Sequence, residues 1–197
     1  MAKKKQQQEE MEMAVEATTP EITMVKPSDA KEMSDETLKS EQIRFNDMAN
    51  EFGNLLKTKK YGVQFDDLKD AKSLLKHLEK NVKWTHADAP LFVAAYQKLK
   101  DAIAEGLNES SEMPIDGPAL NAIYQLLLKT EGVGFFAVRD YMSLLTMTGE
   151  GISNAMRKMV EDQNTLKNIH INLSTLDDET NARSLGIQVA ESEPQQA

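Results

Sequence analysis

Leu38, Phe45 and Phe52 recur at intervals of seven residues, with Met48 and Leu55 at the alternating position. That spacing puts one apolar edge along a helix and predicts helix from Ser34 to about Lys57. Glu41 interrupts the second series, so the segment reads as a bundle helix and not as a clean coiled-coil seam. Ser34 is a suitable N-cap, and Asp35 and Glu36 sit favourably at the positive helix end.

The same logic extends along residues 34–176. "KTKKYGVQF" alternates Tyr61, Val63 and Phe65 and predicts a short strand. A second helix follows, ending near Trp84, with Leu68, Ala71, Leu75, Leu78 and Val82 on one face. Thr85 with Asp88 resembles a capping box, and Asp88 before Ala89 and Pro90 is an equally good cap. The third helix then runs to about Glu105, and Gly106 stops it. "LNESSEMPIDGP" reads as the clearest loop, a candidate hinge and protease-sensitive site. Asp116 or Gly117 with Pro118 starts a fourth helix. A fifth, "FFAVRDYMSLLTM", is apolar on most sides and is expected at the centre of the bundle. "TGEG" is expected to break it before a sixth helix from Ile152. "IHINLSTL" alternates and predicts a second strand, pairing with Tyr61–Phe65 or adding to a partner's sheet.

The fold class expected is therefore mainly α: a single helical-bundle domain, residues 34–176, of five to six helices. At most a short two-stranded β ribbon accompanies them. Residues 1–33 and 177–197 are polar and read as disordered tails, although "EITMVKP" could form an extended docking segment through Ile22, Met24 and Val25. The whole chain carries a net charge of −9, of which residues 34–176 contribute −3, so the acidity is mostly a tail property.

Little points to an enzyme. There is no cysteine, which excludes disulfides, a thiol nucleophile and thiolate metal sites. His77, His86 and His170 form no His-Glu-x-x-His motif, and each reads as a solvated or hydrogen-bonded histidine. The glycine pairs Gly132/Gly134 and Gly149/Gly151 lack the remainder of any phosphate-binding motif and read as turns between helices. No catalytic residue, cofactor or metal site is expected. The N-terminus has a basic head without an apolar h-region, and no run is long enough to span a membrane. A soluble, cytoplasmic protein with no membrane partner is the expectation.

The feature that remains is a basic stripe. Lys69, Lys72, Lys76, Lys80 and Lys83 lie three or four residues apart and centre roughly 130° from the apolar face of their helix. Lys57, Lys59, Lys60 and Tyr61 lie just upstream and could extend it. Acids at the helix start and lysines toward its end complement the helix dipole, which is a purely structural reason for part of the pattern. Consecutive lysine neighbours nevertheless repel by roughly 0.2–0.5 kcal/mol each, a cost that helix stability does not require. The stripe thus reads as a candidate surface for an acidic protein partner, with nucleic acid as the alternative. Homo-oligomerisation is compatible with either. A helical module between polar tails is also the layout of many accessory proteins of phages, viruses and large assemblies, so an assembly or virion component is the expected class.

Overall fold

The computed structural model describes residues 20–83, 85–108, 110–130 and 135–185, without the side chains of Phe135 and Phe136. Among them are six helices and two strands: α1 Pro27–Glu32, α2 Asp35–Thr58, β1 Lys60–Gln64, α3 Leu68–Lys80, α4 Ala89–Glu105, β2 Glu112–Asp116, α5 Gly117–Leu127 and α6 Phe135–Ser184. The fold is mainly helical with one two-stranded antiparallel ribbon, as the periodicity predicts. The chain gathers into two compact units, residues 56–162 and residues 20–55 with 163–185; α2 and α6 contribute to both.

In the first unit β1 turns Tyr61 and Val63 inward, and Phe65 follows them. Asp67 caps α3, its carboxylate accepting from the Lys69 amide at 2.9 Å. Asp116 caps α5 in the same way, accepting from the Ala119 amide at 2.9 Å, with Pro118 in the first turn. Gly106, at φ 90°, ends α4 in a conformation open to glycine. The core joins Val63 and Phe65 to Leu74, Leu78, Leu99, Met113, Leu120 and Ile123.

The partner of β1 is not the segment the alternation suggested. It is "EMPID", within the stretch read as a hinge loop. Tyr61 pairs with Ile115 and Val63 with Met113, and all four side chains are buried. Pro114 is tolerated because it faces Gly62 at a position where a backbone N–H would point away from β1. The outer side of β2 is closed by Asn108. Its Oδ1 accepts from the Glu112 amide at 2.8 Å, and its own amide donates to the Glu112 carbonyl at 2.9 Å.

"IHINLSTL" is helical. Ile169, Asn172 and Leu176 are buried while Ile171 is exposed, a spacing of three and four that belongs to a helix face. The predicted fifth and sixth helices and this segment are one element, α6. "TGEG" does not break it because Gly151 serves close packing: a Cβ there would lie 2.1 Å from the Gln64 carbonyl oxygen at the end of β1. Nor does the start of α6 lie at the centre of a bundle, since Val138 and Met142 are 58% and 56% exposed. Helix α3 ends at Lys80, short of the expected boundary, because Asn81 caps it and Val82 bridges to Thr130.

Buried charge completes this unit. Asp162 is 2% exposed; it receives a salt bridge from Lys59 Nζ at 2.7 Å and a hydrogen bond from the Tyr61 hydroxyl at 2.9 Å. Burial, followed by the adjacent Asp162 carboxylate, pushes the Tyr61 hydroxyl pKa well above its ordinary value.

The second unit pairs α2 with the later part of α6. Ser34 Oγ accepts from the Thr37 amide at 3.2 Å, as the cap predicts. Leu38, Phe45 and Phe52 are buried, with Ile169 and Leu176. Gln42 donates to Asp177 and Thr180, and Arg183 bridges to Asp35 at 2.6 Å, so the two helices run antiparallel. Part of each expected tail is ordered here. Asn172 accepts from the Val25 amide at 2.9 Å and donates to the Thr23 carbonyl at 3.0 Å, holding the segment before α1. Arg183 donates to the carbonyls of Ala30 and Lys31 at the end of α1. Residues 20–33 depart from the tail reading because side chains of α6 hold Thr23, Val25, Ala30 and Lys31 through their backbone, and residues 177–184 because they continue α6 itself; residues 1–19 and 186–197 lie outside the described residues.

Gly151→Ala should lower the urea midpoint, by about 1–3 kcal/mol of stability, because the new methyl meets backbone. Gly149→Ala, whose Cβ would find only Leu145 at 3.9 Å, should be neutral or stabilising. Asp162→Ala should cost about 3–5 kcal/mol in the same measurement, since it strands the Lys59 ammonium.

Candidate interaction surface

Helix α3 buries Ala71, Leu74, His77 and Leu78, with Leu68 and Leu75 packed at the margin. The opposite face carries the stripe: Lys69, Lys72, Lys76, Lys80 and Lys83 are all exposed. Lys69 reaches Asp67 Oδ2 at 3.4 Å, an open pair of little energetic weight. The Lys69 amide, ahead of its ammonium group, holds the Asp67 carboxyl below the usual carboxylate range. Among the described residues no carboxylate lies within salt-bridge distance of Lys72, Lys76 or Lys80.

The upstream residues do not all join this surface. Lys59 and Tyr61 turn to Asp162, as their neighbours in β1 require. Lys60 borders a separate shallow groove with Lys98, Asp101 and Glu105, where Lys98 pairs with Asp116 at 3.2 Å. Lys57 is exposed at the end of α2.

A feature the sequence reading missed adjoins the end of α3. A cleft of about 460 Å³ has His77, Asn81 and Thr130 on one side and Ala137, Val138 and Tyr141 of α6 on the other. Asp140 lies on its rim and is paired with Arg139 at 2.9 Å. His77 is 7% exposed and stacks on Tyr141 with ring centroids 5.5 Å apart. Asn81 Nδ2 donates to His77 Nδ1 at 3.1 Å, which leaves Nε2–H to donate to Thr130 Oγ1 at 3.0 Å. This is a neutral, fully bonded imidazole, and burial pushes its pKa below the ordinary 6.5. Lys80 is its i+3 neighbour on the same helix, so the stripe and the cleft are contiguous. The signal that could have located the cleft is the excess of apolar residues in "FFAVRDYMSLLTM", more than one buried face needs.

Across from α3, Asp88 receives Lys129 as well as the amide and hydroxyl of Thr85, at 3.0 and 2.9 Å. Lys129 first, then Thr85, lowers its carboxyl to about 2. His86 and His170 are exposed. Among the described residues no three His, Asp or Glu side chains converge as a metal site, and no helix is long and apolar enough to cross a membrane. Gly132, Gly134 and Trp84 lie outside the described residues. No family model matches the sequence, and no curated protein or solved structure matches it.

The His77 environment sets a pH dependence. Below pH 6.5 the unfolded chain takes up a proton that native His77 resists, so stability is complete above that pH and falls as the pH drops through it. Urea midpoints measured from about pH 7.5 down to about pH 5 should decline more steeply for the natural chain than for His77→Gln. Parallel declines would remove His77 as the cause.

Proposed function

We propose that this chain is a non-enzymatic interaction module, a structural or assembly component of the kind found among phage and virion accessory proteins. In this reading α3 presents its lysines to an acidic surface on another protein. The observation that carries it is a contrast between cations. Lys59, Lys98, Lys129 and Arg183 each meet a carboxylate of the fold. Lys72, Lys76 and Lys80 stand together in solvent with no carboxylate at salt-bridge distance among the described residues, Lys72 adding only a minor pull on Asp67. Their mutual repulsion, about 0.2–0.5 kcal/mol per neighbouring pair, is relieved by a partner bearing carboxylates. Such a contact contributes orientation and association rate more than affinity.

Nucleic acid is the competing reading, because a row of ammonium groups is also a phosphate footprint. The net charge of −9 and the inward turn of Tyr61 weigh toward protein.

Affinity capture with the tagged full-length chain, from cells of its source, tests this. It should recover one or a few proteins with acidic surfaces. Their recovery should fall at least about tenfold, about 1.4 kcal/mol, for Lys72→Glu/Lys76→Glu/Lys80→Glu. The variant should melt as the natural chain does. Equal recovery would remove the stripe from the reading. A short DNA or RNA duplex should show no saturable binding at low salt; a log–log salt slope near −4.5 would put nucleic acid in the protein partner's place.

A further inference from the structure

Helix α6 carries a second apolar face beside the one it turns to the core. At about 100° per residue Val138, Met142, Leu145 and Gly149 fall on one narrow strip of its surface. Leu144, Thr148, Ile152 and Ala155, which are buried, are centred about 100° away. Val138 and Met142 are exposed, and Leu145 and Gly149 partly so. A Cβ at Gly149 would meet Leu145 of its own helix and no other described residue within 4 Å. No charged residue falls on the strip between Val138 and Gly149. Apolar side chains exposed singly need no explanation, but a continuous strip along three turns marks a contact surface. Its spacing of four, three and four is that of a helix–helix seam.

We propose that a second copy of this chain covers the strip, the two α6 helices packing antiparallel about a two-fold axis between Met142 and Leu145. Such a contact is isologous, so each pairing occurs twice. Val138 meets Gly149 of the other copy, and Met142 meets Leu145. Large then faces small at the outer layers, which close packing favours. Parallel pairing would set glycine against glycine and leave a void. Charge agrees with the antiparallel choice. Arg139 and Glu150 flank the strip on the same side, about 90° and 110° from its centre. Antiparallel pairing brings each Arg139 beside Glu150 of the other copy, whereas parallel pairing leaves them about 16 Å apart along the axis. Arg139 pairs with Asp140 in the single chain, an exposed contact of little weight that a second carboxylate can share. Three turns of helix bury less than a standard interface, so the dimer is reversible and concentration-dependent. The lysine stripe takes no part in the contact, so the two readings fail separately.

Sedimentation equilibrium of the full-length chain should show a mass rising from one chain toward two as its concentration approaches about 1 mM, the weak end of measurable association. Met142→Glu, at an exposed position, should melt as the natural chain does and keep the mass of one chain. Arg139→Glu or Glu150→Arg alone should raise the dissociation constant about threefold to tenfold, and both in one chain should restore it. Disulfides read the orientation, because the natural chain has no cysteine. Val138→Cys mixed with Gly149→Cys should oxidise to a joined pair of the two variants. Val138→Cys alone should not, because antiparallel pairing holds its two copies about 16 Å apart along the axis, beyond disulfide reach. The mass of one chain at every concentration, or a dimer unchanged by Met142→Glu, overturns the proposal. So does self-joining of Val138→Cys in place of the mixed pair.

Discussion

The missing side chain at Gly151 is the constraint on which the first unit depends. The end of β1 runs so close to α6 that the Gln64 carbonyl occupies the space a Cβ would need. That approach lets Tyr61, on the same strand, reach Asp162 three turns further along the helix. Lys59 arrives at the same carboxylate from the residue just after α2. A strand, a helix and the end of another helix are thereby fixed by one backbone contact and one buried charge. Elsewhere hydrophobic burial holds the unit together; here geometry dictates the residue.

Helix α6 does different work along its length. Its first turns leave Val138 and Met142 in solvent beside the His77 cleft. Its middle meets the ribbon. Its last turns supply Asn172 and Arg183, which bond the backbone of Thr23, Val25, Ala30 and Lys31. In the second unit polar side chains therefore do what a sheet edge or a capping residue does in other folds: they accept and donate to main chain that would otherwise need water.

What was legible in the sequence follows from how local each signal is. Caps at Ser34 and Asp116, the acids at the start of α3, the seven-residue spacing of Leu38, Phe45 and Phe52, and the alternation at Tyr61–Phe65 are read within a few residues. The structure has them where the pattern puts them. The partner of β1 was not legible, because Pro114 and the surrounding polar residues look like a loop until a strand is placed beside them. Gly151 was read as a breaker because a glycine needed for close packing looks the same, in sequence, as one needed for a turn. The stripe was legible as spacing. The cleft beside it was not, since it forms between residues more than fifty apart.

The ribbon's borders have one more consequence. Asn108 occupies both backbone groups of Glu112, Pro114 has no N–H to offer, and Asp116 is committed to capping α5. On the other border the Gln64 backbone abuts α6. Along β2, among the described residues, a third strand therefore finds little template on which to grow. Edge-to-edge pairing with a second copy of the chain is thereby discouraged at this border of the ribbon.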